Sequence, residues 1–440
     1  MLHSINNSIL LTHKLPVKFP GREHNSSKIP ESNFSLRSQF LHSIIQAAPD
    51  HSKPMYQHRT DQPRSLTSKV FSSLPEIYRE QWDGLLNGRS CTYSHDFWKV
   101  IEKSSLNDFD YRYVIFFDAA GDLVALASFY SITTDIAIFA PARLRGLLNW
   151  IRKFFPGFLK LRMLECGTPI TVNSPPFVSN GNIPTREIIE SLNKLLLDTA
   201  RAEGQLIIVI RDFEPNAQAL RLDFNRLGYH WVDSLPNTYM DIKWASPDDY
   251  LLAMKSYYRS KLQRHLRKNE AQKIRHELVD DFHDLAETLC VQWLVVHNQA
   301  DEFQREILTP AFYREFSLRM GHRSKVILFY RRDELIGHAL LLLDGDLLRW
   351  LYFGREDAIN DSLYIYVGHK VIETAIQLGA KRLELGLTTY SIKQDLGAQM
   401  TPNKLALRSA SRLINPFIGM VYPLINHIPE IQNKSIFKVA

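Results

Sequence analysis

Two neighbouring stretches decide the fold: VILFYRRDELIGHALLLLDGDLLRWLYF at 326–353 and SLYIYVGHKVIETAIQLGAKRLELGL at 362–387. The first reads as an antiparallel meander. Apolar and β-branched runs at 326–330, 335–343 and 347–353 are broken by polar turns at 332–334 and 344–346, and such punctuation favours strands over a helix. The second opens with a helix over 362–378 that stops at Gly379, a residue that readily takes the left-handed conformation closing a helix. A strand at 382–387 follows at once. Three strands, a crossover helix and a fourth strand make a mixed-sheet α/β unit.

Working outward, the upstream sequence repeats that order. Strands at 111–118 and 123–132 flank a turn at 119–122, and a third is expected at 161–166. A helix over 185–203 lies between Pro184 and Gly204, the expected punctuation, and an almost wholly apolar strand follows at 205–210. Between the two copies come a strand at 239–242, a helix at 247–271, a strand at 274–279 and helices at 282–297 and 310–320. The expected organisation is a flexible leader at 1–72, an N-terminal α/β domain at 73–240 and a C-terminal α/β domain at 241–440. The leader is rich in Ser, Asn, His, Pro and Gln with little periodicity.

Composition narrows the chemistry. Of 440 residues 45% are hydrophobic and 23% charged, enough for two cores and too apolar for disorder. A net charge of +6 favours anionic partners. Three scattered cysteines exclude a disulfide framework and any CxxC metal site; they read as small buried hydrophobes and fit a reducing cytoplasm. There is no GxGxxG after a strand, no Walker A sequence, no HExxH and no GxSxG, so nucleotide, zinc-protease and serine-hydrolase readings lose support and no metal is expected. No signal-peptide pattern or long apolar run is present, so a cytoplasmic protein is expected.

Three passages carry a family resemblance. The first is Leu227-Gly228-Tyr229 leading to Tyr239-Met240-Asp241-Ile242, Tyr250-Leu251 and the basic stretch Ser260 to Lys268. The second is Leu335-Ile336-Gly337-His338-Ala339-Leu340. The third runs from Ser362 to Thr374, through Leu378-Gly379-Ala380-Lys381-Arg382-Leu383-Glu384-Leu385-Gly386, to Tyr390-Ser391-Ile392-Lys393. Together they resemble the GNAT-superfamily branch that holds the Fem-type peptidoglycan aminoacyltransferases and related carrier- or CoA-dependent N-acyltransferases. The resemblance implies two tandem GNAT-like domains. It also implies transfer of an acyl or aminoacyl group to an amine acceptor, in a cleft of the second domain. The donors it leaves open are acyl-CoA, an acyl-carrier-protein thioester and aminoacyl-tRNA.

One departure bears on the donor. Where the superfamily carries a glycine-rich pyrophosphate loop, this chain has Asn360-Asp361-Ser362-Leu363-Tyr364-Ile365, with no glycine until Gly368. Asp361 reads as the helix N-cap. Asn360 and Ser362 remain candidates to meet an anion at that helix end through its free amides.

Glu384, alternating with Leu383 and Leu385 in a strand, is a candidate general base or anchor for a cationic amine; a solvated outer-face charge is the bland alternative. The edge at 351–353 is the candidate to hold the donor carbonyl. Tyr390 and Lys393 follow at the C-terminal end of the strand, where α/β folds bind ligands: Tyr390 as proton donor or packing residue, Lys393 as a substrate contact. Arg349 is a further substrate contact and Tyr352 an acid/base candidate, their odd spacing placing them on opposite strand faces. His338 reads as a satisfied core histidine.

Between Lys255 and Arg275 lie eight Lys or Arg and one acid, Glu270. Helical spacing groups Lys261, Arg264, Arg267 and Lys268 on one face, suited to phosphates of a tRNA, carrier arm or nucleotide. A basic amphipathic segment at 142–155 and the tail at 414–428 each fit packing on a sheet or peripheral contact with the inner membrane. A catalytically silent module binding an anionic partner or a membrane is the second reading that the sequence leaves open.

Overall fold

The computed structural model describes residues 56–58, 66–135, 142–158, 160–170, 172–299, 306–357, 362–426 and 428–438. The leader expected at 1–72 lies largely outside them. Its last part is corrected: Thr67–Phe71 forms strand β2, pairing with β3 (Asp110–Phe117) and, on its other edge, with β1 (Tyr56–His58). Val70 and Phe71 are buried there.

The duplicated order is visible in the topology. In the first half, β3 pairs antiparallel with β4 (Leu123–Asp135) and β4 with β5 (Lys160–Cys166). The short β6 (Phe177–Ser179) also pairs with β4. Helix α4 (Thr185–Ala202) then crosses to β7 (Ile207–Phe213), parallel to β5. In the second half, β10 (Ser324–Arg331), β11 (Glu334–Asp344) and β12 (Leu347–Arg355) form the meander. Helix α10 (Leu363–Gln377) crosses to β13 (Arg382–Glu384), parallel to β12. β9 (Ile274–Val279) adds to the outer edge of β10.

With β8 (His230–Asp241) and β14 (Gln399–Ser409), the halves join in one sheet of order β1-β2-β3-β4-β5-β7-β14-β8-β13-β12-β11-β10-β9. The joint is made by β8 and β14: β14 comes late in the chain yet inserts between β7 and β8. The expected boundary at 240/241 thus falls at the end of a strand that pairs with β13 and β14. One hydrophobic cluster also spans both halves, uniting Trp82, Trp98 and Tyr113 with Trp293, Phe312 and Tyr352.

Three expected elements change. The helix expected at 247–271 is two, α6 (Pro247–Ala253) and α7 (Ser256–Ala271). Met254 and Lys255 are extended because the C-terminal tail pairs with them, Met254 bridging Phe437 and the Lys255 amide donating to the Ile436 carbonyl at 2.8 Å. The strand expected at 239–242 begins at His230, running through Pro236 where its register with β14 shifts. The strand expected at 382–387 stops at Glu384.

Helix α8 (Ala286–His297) lies directly on β12 at Gly354. A Cβ there would come 2.8 Å from the Trp293 backbone nitrogen and would overlap the His338 ring. Gly354→Ala is therefore expected to lower stability by about 1–3 kcal/mol through overpacking, read as a lower urea midpoint with an unchanged m-value. His338 is indeed a satisfied core histidine: Tyr313 Oη and Gln292 Oε1 lie 3.0 and 2.9 Å from its ring nitrogens. Burial drives its pKa down to about 3, so it is neutral.

Candidate functional site

The parallel pair β12–β13 is short. It matches Leu347 with Arg382, Leu348 with Leu383 and Arg349 with Glu384, and strand pairing then ends. Beyond this point β12 continues to Arg355 while β13 has stopped, so among the described residues the β13-facing edge of 350–355 has no strand partner. This end of the pairing, the splay, adjoins the 351–353 edge that the sequence reading proposed for the carbonyl.

At the vertex sits a buried charged network. Arg349 donates to Glu384, to Asp344 Oδ2 at 2.9 Å and to the Asn173 carbonyl at 3.0 Å. The other Glu384 oxygen accepts from Asn237 Nδ2 at 2.6 Å. Asp344 Oδ1 also accepts the Cys91 amide at 2.6 Å, which ties a first-half turn to the second-half meander. Tyr239 donates to Glu214, and Asn173 Nδ2 reaches Glu214 at 2.6 Å. Burial alone would raise the Asp344 pKa, but the Arg349 guanidinium and the Ser90 and Cys91 donors bring it below the usual carboxylate value. Burial and the nearby Glu384 carboxylate push the Tyr239 hydroxyl well above its ordinary range, so it stays a donor.

Alternation along β12 is broken by a bulge. Leu340 faces Tyr352 and Leu341 faces Trp350, so Leu351 is the extra residue. Arg349 and Tyr352 therefore lie on one face, not on the opposite faces that their spacing suggested: their partners Leu342 and Leu340 belong to one cluster, whereas Trp350 joins the cluster under α10. Tyr352 still does not meet Glu384. Its hydroxyl donates to Glu306 Oε1 at 2.7 Å beneath Trp293 and Phe312.

The loop leaving β13 forms the other wall. Gly386, Thr388 and Thr389 all have positive φ, at 76°, 61° and 50°; two successive non-glycine residues there store local strain. This turn launches the short helix α11 (Tyr390–Asp395). Tyr390 donates to the Pro236 carbonyl at 3.0 Å. Lys393 is 3% exposed and its amine donates to the Leu387 carbonyl. A Cβ on Gly386 would lie 3.8 Å from the Trp350 carbonyl and 4.0 Å from Lys393 Nζ, so the lysine amine lies beside the point where β12–β13 pairing ends. Burial lowers its pKa to about 7, against the opposing pull of Glu384.

At the start of α10, Ser362 is buried and bonded at 3.0 Å by Asn269 of α7, while Tyr364 stacks on Trp350. Asn360 and Asp361 lie outside the described residues. The basic helix α7 packs Leu262 and Leu266 inward and leaves Arg264, Arg267 and Lys268 exposed. Lys261 leaves that group, paired with Asp395 of α11 at 2.6 Å. Thus α7 connects the two ends of the site, the cap of α10 and the helix bearing Lys393.

The first half carries a counterpart that sequence reading missed. At the β5–β7 junction, Glu165 accepts from Tyr130 at 2.8 Å, and Arg211 reaches the Thr168 carbonyl at 3.0 Å. Burial raises Glu165, opposed by Arg211, and raises Asp212 to about 6. Each parallel junction therefore holds a buried glutamate and an arginine, Arg349 buried and Arg211 partly buried. Asn173, Glu214, Asn237 and Asp344 were missed as well. The available signal was a charged side chain inside an apolar strand run, as at Glu165. Among the described residues no group of three or more His, Cys, Asp or Glu is arranged to hold a metal. The three cysteines are buried, and burial raises each thiol pKa, Cys290 to about 11. A cavity of about 460 Å³ lined by Gln81, Asn87, Arg89, Asp122 and Asn180 shares no residue with this network.

Several known proteins are similar to this chain. The C-terminal domain of a putative lysylphosphatidylglycerol synthetase from Agrobacterium fabrum is 12% identical, with a TM-score of 0.47 over 79% of this chain and 97% of that one. FemX is also 12% identical, at TM-score 0.47 over 74% and 95%. A tandem GNAT protein of clavulanic acid biosynthesis gives 9% and 0.46 over 79% and 99%. A curated relative, putative 8-amino-7-oxononanoate synthase 2 of Mycobacterium tuberculosis (strain H37Rv), is 27% identical over 324 residues, which is 72% of this chain and 42% of the relative. The chain spans about two fifths of the length of the curated relatives it matches. The FemAB-like family, described as peptidoglycan biosynthesis/recognition, matches residues 168–397, which include the bridging strand β8, the basic helix, the splayed junction and Lys393. This chain belongs to the FemAB-like family.

Proposed function

We propose that the chain is an N-acyltransferase that moves an acyl or aminoacyl group from a thioester or tRNA ester to an amine, at the β12–β13 splay. The observation that carries this reading is a buried lysine amine, held on the Leu387 carbonyl beside the point where β12–β13 pairing ends, with burial lowering its pKa to about 7. An amine poised near the working pH exchanges protons efficiently. The edge at 351–353 offers backbone donors where a carbonyl oxygen gains charge.

The acceptor reacts as the free amine. Its nitrogen forms the C–N bond, and the carbonyl electron pair moves onto oxygen. The N–H proton of the adduct passes to neutral Lys393. As the C–S or C–O bond breaks, the Lys393 ammonium returns that proton to the leaving sulfur or oxygen. Glu384, with one oxygen on Arg349 and the other on Asn237, has little freedom as a base. Its carboxylate positions Arg349 and tempers Lys393. Tyr390 closes the loop as a positioning residue, and Tyr352 with Glu306 supports the β12 bulge.

The exposed cations of α7 steer a polyanionic donor. Replacing Arg264, Arg267 and Lys268 with Ser is expected to raise KM with kcat unchanged. It should also flatten the salt dependence of donor affinity by about 2–3 units of log–log slope; an unchanged slope removes the helix from donor binding. The reaction itself is tested by mass spectrometry of amide product with acyl-CoA, acyl-carrier protein or aminoacyl-tRNA and a peptidoglycan-precursor amine. Amide from any one donor supports the transferase. Binding without amide from all three favours the silent module instead.

A further inference from the structure

The described surface has one unusual concentration of apolar side chains. Ten of the nineteen large exposed hydrophobics among the described residues fall in two segments, 147–158 and 413–421. The first contains helix α3 (Ala142–Arg152) and the turn after it, with Trp150, Phe154 and Phe155 at 57%, 65% and 67% exposure. The second contains helix α12 (Asn415–Ile425) and its lead-in, with Leu413, Phe417 and Met420 at 84%, 63% and 69%.

Sheet register brings the two segments together. Chain leaving α3 enters β5 at Lys160, Met163 of β5 pairs with Ile207 of β7, and Ile207 pairs with Ser409 at the end of β14. Chain leaving β14 at Ser409 then enters α12. Both segments therefore meet the sheet at the same end. Ile418 and Tyr422 of α12 pack with Leu161 and Met163 of β5 in one cluster, so the inner side of α12 is already occupied by this sheet. The exposed aromatics lie outside that contact.

The charge within the two segments is of one sign, with Asp135 opposite Lys160 in the ladder and Asp233 paired with Lys404 at their border. From 136 to 164 there are six Lys or Arg and no acid; from 396 to 429 there are three and no acid. Lys153, Lys160, Arg162 and Arg412 are exposed. Trp150 and Phe154 already form an edge-to-face pair at 5.3 Å, so little side-chain order is left to gain. Aromatic and aliphatic side chains ringed by cations, on helices too short to span, suit insertion into an anionic lipid interface.

We infer that α3 and α12 form a single docking surface for an anionic phospholipid bilayer, on which the protein lies without crossing it. The inference is independent of the acyl transfer proposed above, because its readout is binding alone. Full-length chain is sedimented with phosphatidylcholine vesicles, with and without about one third phosphatidylglycerol. Binding is expected to the anionic vesicles only and to weaken as salt rises. The triple substitution Trp150→Ser, Phe154→Ser, Phe417→Ser should lower partitioning by about 100-fold or more. Lys153→Glu with Arg412→Glu should lower it by about tenfold or more. All five positions are exposed, so the thermal midpoint is expected to stay in place in both variants. Equal binding to neutral vesicles, no binding to either, or retained binding in the triple variant overturns the inference. So does a wild-type dimer in sedimentation equilibrium that the triple substitution dissociates, which would assign this face to a second copy of the chain.

Discussion

Lys393→Met is expected to lower kcat by about 100- to 10,000-fold, the usual contribution of a positioned acid/base group, while leaving donor affinity within a few-fold. Wild-type kcat should rise with pH through an apparent pKa near 7 as the buried amine loses its proton, and the variant should lack that limb. Lys393→Arg separates the base from a mere positive charge. An arginine there cannot deprotonate, so it must remain as slow as the methionine variant; recovered activity in it would contradict the base.

The same shift couples to stability, with a sign opposite to that of a salt-bridged lysine. The Lys393 pKa is lowered by folding, so between about 7 and 10.5 the unfolded chain binds more protons than the folded one. Stability should rise with pH through that window, and the burden of the buried charge is fully present below it. Lys393→Met removes the dependence. Urea midpoints across the window, wild type against variant, measure the effect.

Arg349→Met is expected to destabilise the protein by about 3–5 kcal/mol, because it leaves Glu384 and Asp344 buried and uncompensated. The loss should exceed that of an exposed pair such as Arg186–Glu190, whose attraction is screened by solvent. Adding Glu384→Met to Arg349→Met should recover part of the loss, since the second change removes one orphaned charge. Urea unfolding of the two singles and the double closes the cycle. Additivity would mean that the pair is not coupled as the geometry indicates.

Local pattern carried much of this fold. The meander at 326–353, the crossover helix at 362–378 and their upstream copy are periodic in ways that short-range sterics enforce, and the structure holds them with small shifts at the ends. What sequence missed depends on partners distant in the chain. The helix at 247–271 breaks because residues near Ile436 pair with Met254 and Lys255. β14 completes the sheet between β7 and β8, far from both in sequence. In the site, Arg349, Glu384, Tyr390 and Lys393 were legible as polar residues at the end of an apolar strand. Their partners were not: Asp344 looked like a turn residue, and Asn173 and Ser90 arrive from the other half. The Leu351 bulge reversed the expected facing of Tyr352, since one inserted residue changes every subsequent face.

The central claim is that folding places a near-neutral lysine amine at the splay, and it can be measured without knowing the donor. Protein carrying 13C at lysine Cε is titrated by NMR from about pH 5.5 to 10.5, with Lys393→Arg identifying the resonance. The signal lost in the variant is expected to titrate near 7, well below the other lysines. A Lys393 resonance that stays protonated to pH 10 would contradict the claim.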